Sequence, residues 1–266
     1  MILVTGATGF VGSYLIPQLI RQVSPSSVIS LVPKKDAVRA AGGKMDEQVL
    51  IEQHRSMGVA ILPYPGQGTP DEYRDALKNI EIVDAVIYMA ANNNQGAGFA
   101  TLQEHNVAVL QRFTDALGAR LQGAHFFLTS SVMATVSERM EAGLKPAVLE
   151  KVLPYGRSKQ LAEKALVAKA AQYEFTPVVL RLGSVYGDRA ATGLLKAVDG
   201  LVGLSMMAPI PYFPGRASVL HVTDLVRLLS DLAVRPRGRE SVVRGDGSAT
   251  TGGPSSSVNT GGGAPA

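Results

Sequence analysis

Tyr155-Gly-Arg-Ser-Lys159 places a phenol and an ammonium four residues apart. On a helix, positions i and i+4 share a face. A neighbouring ammonium favours the phenolate and draws a tyrosine pKa down from about 10 toward working pH. The pair is then a general acid/base for moving a proton on or off a carbinol oxygen. A solvated surface pair is the plainer reading, since Tyr-x-x-x-Lys is a common spacing. A third group shifts the balance. The run Ala124 to Thr129 reads as a strand and ends in Leu128-Thr129-Ser130-Ser131. A hydroxyl at such a strand end can hydrogen-bond a substrate oxygen and stabilise its developing charge. Ser131 precedes Tyr155 by 24 residues. A Ser/Thr turn after a strand is the alternative.

A second constellation opens the chain: Met1-Ile-Leu-Val-Thr5-Gly6-Ala-Thr8-Gly9-Phe10-Val11-Gly12. Ile2 to Val4 is an apolar, partly β-branched run and reads as a buried strand. Phe10 to Gln22 reads as a helix, with Pro17 early in it. Strand, glycine-rich turn and helix N-terminus together form an anion site. The helix offers unpaired N–H groups and the positive end of its dipole. The glycines let the backbone turn tightly and approach a pyrophosphate. A purely structural turn is the competing reading, but the strand–turn–helix context is the one the motif requires.

Composition narrows the classes. The chain has 266 residues, 46% of them hydrophobic and 18% charged, so a sizeable core can form. It has no cysteine, which removes disulfides, thiolate nucleophiles and cysteine metal sites. His54, His105, His125 and His221 are scattered without ligand spacing, and no metal site is expected. Net charge is +4, with Arg235, Arg237, Arg239 and Arg244 near the C-terminus. Tryptophan is absent and aromatics are 6%, so a stacking nucleic-acid surface is not expected. No apolar run approaches the roughly 18 residues needed to span a bilayer. A strand beginning at Ile2 leaves no room for a signal peptide. A cytoplasmic protein without membrane or nucleic-acid partners is expected.

The elements that must position these groups alternate. Strands are expected at 2–4, 28–32, 59–62, 83–89, 124–129 and 177–182. Helices are expected at 10–22, 34–57 (interrupted near Gly42-Gly43), 71–78, 99–117 and 154–172. Several strands are continuous apolar runs, as when helices cover both sheet faces. The fold class is therefore α/β: a Rossmann-type doubly wound parallel sheet with a small C-terminal substrate lobe. The dinucleotide-binding domain is expected over 1–187 and the lobe over 188–237. Within the lobe, 190–202 reads as a helix, 219–222 as a strand and 223–233 as a helix with Thr223 as N-cap. Residues 238–266 are rich in Gly, Ser, Thr and Pro and are expected to be a disordered tail.

In combination, Thr5-Gly6-x-x-Gly9-x-x-Gly12, Ser131, Tyr155-x-x-x-Lys159, Arg181-Leu-Gly-Ser-Val-Tyr-Gly187 and His221-Val-Thr-Asp-Leu225 resemble the extended short-chain dehydrogenases/reductases. This is the superfamily of NAD(P)-dependent epimerases, dehydratases and reductases, and the resemblance covers roughly residues 1–235. It implies Tyr155 as proton donor/acceptor. It implies Lys159 on the nicotinamide ribose, and Ser131, or Ser130 if the register shifts, on the substrate oxygen. Gly183, Ser184 and Val185 would lie beside the nicotinamide. Thr5, Thr8, Phe10 and Val11 belong to the dinucleotide turn. Ala90 and Ala91 end the fourth strand, where the family carries His-x-Ala and this chain reads Tyr88-Met-Ala90-Ala91. Asn106 falls where such enzymes carry a helix asparagine near the site. The family's adenine-contacting Asp after the third strand is replaced by Leu62-Pro63-Tyr64.

The expected function is hydride transfer on a carbonyl or secondary alcohol, with a small ketone or a sugar nucleotide as substrate. The competing class is a non-catalytic dinucleotide-binding sensor or assembly subunit. A homodimer is compatible with either. NADP is expected in preference to NAD. The second strand ends at Val32, without the carboxylate that binds ribose hydroxyls in NAD enzymes. Lys34 and Lys35 follow and could pair with a 2′-phosphate.

Overall fold

In the computed structural model, which describes residues 1–34, 47–188, 190–191 and 218–235, the run Ile2–Thr5 forms β1, buried throughout. It pairs in parallel with β2 (Val28–Pro33) on one side and β4 (Ala85–Tyr88) on the other. β3 (Ala60–Tyr64), β5 (His125–Ser131) and β6 (Thr176–Leu182) complete a six-stranded parallel sheet in the order β3-β2-β1-β4-β5-β6. The order reverses between β1 and β4, and ligands of such sheets bind at the carboxyl ends flanking that switch.

Alternation along β1 explains the two layers. Leu3 faces one core cluster with Val86, Phe113, Phe126 and Leu166. Ile2 and Val4 face the other, with Leu15, Leu19, Leu225 and Leu229. The first layer is carried by α3 (Pro70–Ala76), α5 (Val109–Leu117) and α8 (Pro154–Tyr173). The second is carried by α1 (Gly12–Leu19) and, late in the chain, Val222–Val234. Phe113 and Phe126 are fully buried. Side chains of that size each contribute on the order of 2–3 kcal/mol when removed from water.

The remaining helices are α2 (Glu47–Ser56), α4 (Phe99–Gln103), α6 (Val132–Glu141) and α7 (Pro146–Val152); Val222–Val234 is α9. A small second sheet, β8-β7-β9, follows the main one, with β7 at Ser184–Gly187, β8 at Ala190–Ala191 and β9 at Val219–His221.

Several expectations change. The helix expected over 99–117 is broken by a π-helical turn at Glu104–Ala108, which carries Asn106. Helices α6 and α7 occupy a stretch that the sequence pattern left unassigned, and several of their apolar residues, Val132, Val136, Val148 and Val152, are exposed instead of facing the core. The helix expected from Ala190 begins instead as strand β8, antiparallel to β7. Thr223 is not the cap of α9: His221 Nδ1 accepts from the Thr223 N–H at 3.3 Å, so His221 takes that role. The expected helical segment over 35–46, most of the expected lobe and the expected tail over 238–266 lie outside the described residues.

Candidate active site

The glycine-rich turn is built from three glycines with different duties. Gly6 sits at φ +67, the left-handed region that favours glycine. A Cβ on Gly12 would come within 2.4 Å of the Gly6 carbonyl oxygen, so the start of α1 packs too closely on the turn for any side chain. A Cβ on Gly9 would meet only the Gly6 carbonyl oxygen, at 3.2 Å. Its space is therefore open on the outer side. The α1 N-terminus has no side-chain cap and no acid in its first turn. An uncapped helix start behind an open glycine is a cradle that fits a pyrophosphate.

Thr5, expected in the dinucleotide turn, also has a structural task. Its Oγ1 accepts from the N–H groups of Met89 and Ala90, both at 3.1 Å. It thus ties the end of β1 to the loop after β4, across the point where strand order reverses. That loop, residues 89–98, is folded by its own asparagines. Asn92 Oδ1 accepts from Asn94 N–H and Asn94 Oδ1 from Gly96 N–H, each at 3.0 Å.

Asn106 fixes the loop to the catalytic helix. It is 3% exposed. Its Oδ1 accepts from Asn92 N–H at 2.7 Å, and its Nδ2 donates to Asn92 carbonyl and to Ser158 Oγ, at 3.2 and 3.0 Å. Ser158 adjoins Lys159, so one buried amide joins the π-turn, the loop and α8.

On α8, Tyr155 and Lys159 do share the face toward β5. Lys159 Nζ donates to the Thr129 carbonyl at 2.7 Å. Burial lowers its pKa to about 8, against the opposing pull of Glu163. Tyr155 donates to Asn93 Oδ1 at 3.4 Å, a long contact. Burial raises the Tyr155 pKa, and the interaction that pulls it down comes from Ser131. The expectation had assigned that pull to Lys159. The ammonium instead faces the β5 backbone, and the phenol keeps its proton at neutral pH.

The two serines diverge, as neighbours on a strand must. Ser131 caps α6, accepting from Met133 N–H at 3.2 Å, while remaining a hydrogen-bonding neighbour of Tyr155. Ser130 is buried and donates to Glu163, which also receives Arg181 through contacts of 2.6 to 3.1 Å. Ser130 is thus a structural partner of α8 and β6 and no substitute for Ser131.

Other expected positions are scattered around this centre. Gly183 packs against residue 218, where a Cβ would meet the Ser218 carbonyl oxygen at 2.3 Å. Ser184 and Val185 lie in β7, paired with β9. The Phe10 ring reaches toward Gly187, which brings the dinucleotide turn and β7 together. Val11 lies at the α1 start. Lys34 is exposed, and its charge makes a minor contribution to lowering the Glu72 and Asp75 carboxyls of α3. Lys35 lies outside the described residues. Two residues escaped the sequence reading. Asn93 stood in a plain polar loop, and Glu47 lies too far along the chain from β2 for any spacing to flag it. No cluster of metal-ligating side chains occurs among the described residues, and no described helix is long and apolar enough to cross a membrane.

This arrangement belongs to a recognisable class, the α/β proteins built on a doubly wound parallel sheet. The chain is a member of the NAD dependent epimerase/dehydratase family, whose model matches residues 2–241. It is 24% identical over 197 residues to an uncharacterized UDP-glucose epimerase, YtcB, of Bacillus subtilis (strain 168), a match covering 71% of this chain and 57% of that protein. The chain thus spans little more than half the length of that relative. Among solved structures, it is similar to the UDP-glucuronic acid 4-epimerase of Bacillus cereus in complex with UDP-glucuronic acid and NAD. The TM-score is 0.59 at 20% identity, covering 87% of this chain and 72% of that one. It is also similar to the terminal R domain of the myxalamid PKS-NRPS pathway. There the TM-score is 0.64 at 21% identity, covering 88% of this chain and 62% of that one.

Proposed function

We propose that this protein is a nicotinamide-dinucleotide-dependent oxidoreductase acting on a carbonyl or secondary alcohol, with a sugar nucleotide as the substrate class. The observation that carries the reading is the meeting of Ser131 and Tyr155 at the carboxyl end of β5, with Lys159 one turn along the same helix. When bound, the dinucleotide supplies the hydride acceptor or donor. The protein's own groups handle the oxygen. Ser131 holds it through its hydroxyl. Tyr155, a phenol at neutral pH because burial raises its pKa, donates a proton to that oxygen as the adjacent carbon is reduced. In the reverse direction the phenol must first lose its proton, with the Lys159 ammonium one turn along the same helix. Gly9 and the α1 N-terminus would hold the pyrophosphate, and Asn106 keeps the loop over 89–98 against α8.

The sugar-nucleotide class is supported by two of the similar proteins, which carry UDP-sugar names. The sensor or assembly-subunit reading is not favoured by the family, which is named for epimerases and dehydratases. A cytoplasmic location and a homodimer belong to the same proposal. The expected NADP preference rested on Lys34 and Lys35 and on the absence of an acid at Val32; Lys34 is exposed, and Lys35 lies outside the described residues.

The test is a panel of UDP-sugars and small ketones incubated with NAD or NADH, following nicotinamide absorbance and resolving products by chromatography. Turnover of a UDP-sugar is expected. Dinucleotide binding without turnover of any carbonyl or alcohol would return the protein to the sensor class.

A further inference from the structure

Among the described residues the end of β2 offers no acid, yet a carboxylate reaches the same region from another part of the chain. Glu47, at the start of described helix α2, accepts a hydrogen bond from Thr8 Oγ1 at 2.9 Å. Thr8 lies within the glycine-rich turn. The charge of Glu47 also acts on Tyr64, the last residue of β3, whose hydroxyl is pushed up to about 12 by burial first and by Glu47 second. Tyr64 stands opposite Pro33 at the end of β2. Glu47 is therefore held near the turn after β1 and the carboxyl ends of β2 and β3. In a doubly wound sheet this half of the crevice takes the adenosine end of a dinucleotide.

A carboxylate has acceptor sites for several donors, and Thr8 occupies one of them. Ribose hydroxyls are donors and suit the remainder. A 2′-phosphate is an anion and suits none. Lys34, one of the two cations expected to meet that phosphate, is exposed and makes only a minor contribution to lowering the Glu72 and Asp75 carboxyls of α3.

We propose that Glu47 selects the dinucleotide, accepting from the adenosine ribose hydroxyls and repelling a 2′-phosphate, so that the protein takes NAD in preference to NADP. This rests on the reading that the glycine-rich turn binds a nicotinamide dinucleotide. It places the discriminating acid on a separate helix instead of at the end of the second strand, and it reverses the preference expected from the sequence.

The experiment is calorimetric titration of the full chain with NAD and with NADP, for the wild type, Glu47→Gln and Lys34→Ala. The wild type is expected to bind NAD at least about tenfold more tightly, the effect of roughly 1.4 kcal/mol of differential interaction. Glu47→Gln keeps the shape and removes the charge, and should narrow that ratio to within about threefold, chiefly by gaining NADP affinity. Lys34→Ala should leave the ratio unchanged. If Glu47→Gln does not fold, Glu47→Ala makes the same comparison, and the wild-type ratio stands alone as a test. Equal or tighter NADP binding by the wild type overturns the role of Glu47 while leaving the dinucleotide site standing. So does a preference undiminished in the Gln variant. Binding of neither dinucleotide by the wild type overturns the site reading as well.

Discussion

Lys159 Nζ donates to the carbonyl oxygen of Thr129 at 2.7 Å, joining the middle of the catalytic helix to β5 two residues before Ser131. This contact sets the helix so that Tyr155, one turn earlier, comes beside the serine. It also buries the ammonium, and desolvation brings its pKa down to about 8. The amine is thus charged at neutral pH and loses its charge within the range of an ordinary assay.

The pH profile follows from that sign. A group whose charged form is needed, and whose pKa is lowered, fails as pH rises through the lowered value. If the Lys159 ammonium supports the reaction, kcat/KM of the free enzyme should fall above pH about 8. Replacing Lys159 with Arg, which stays charged, should move that limb upward in whatever activity remains. A wild-type profile flat to pH 10 would remove the ammonium from the mechanism.

Ser131 carries two duties, and one substitution should reveal both. It caps α6 and neighbours the Tyr155 phenol. Ser131→Ala should cost about 1 kcal/mol of stability through the lost cap. It should also lower turnover by roughly a hundredfold through the lost donor at the substrate oxygen. Ser131→Thr should restore the cap, measured by denaturant unfolding, and part of the activity. Loss of stability with unchanged turnover would leave Ser131 as a cap alone.

Tyr88 provides a separate check on the packing. Its hydroxyl is buried without a hydrogen-bond partner among the described residues, beside Phe113 and Phe126. A buried polar atom left unpaired costs free energy. Tyr88→Phe should therefore raise unfolding stability by about 1 kcal/mol. A loss of stability on denaturant unfolding would show that the hydroxyl has a partner.

The order of strands and helices was legible because each sheet strand is a short apolar run set off by glycine, proline or polar turns, and Leu3, Val86 and Phe126 then fall on one face. The candidate site was legible where chemistry and spacing coincide, as in Tyr155 with Lys159 on one helix face. It was less legible where the determinant is three-dimensional. Ser131 and Ser130 are adjacent in sequence, and only strand alternation separates one toward the phenol from the other toward Glu163. Asn106 was placed near the site by resemblance alone, and only the π-turn and its burial show the hydrogen bonds it makes in the interior. Thr5 is a motif residue whose hydroxyl turns out to fasten two loops. Glu47 has no local signal, because its meaning comes from a contact with Thr8, 39 residues earlier. The pKa of Tyr155 was misjudged because charge proximity was weighed without burial, and burial is the larger effect.

The central claim is that Tyr155 is the proton-transfer group of a working enzyme. Its most direct test is Tyr155→Phe, measured for turnover and for dinucleotide affinity in the same preparation. Removing the hydroxyl should lower turnover by roughly 10²–10⁴-fold. Dinucleotide affinity should stay within about threefold of wild type, since the pyrophosphate cradle lies at the α1 N-terminus and does not involve the phenol. Turnover undiminished in the phenylalanine variant would contradict the account.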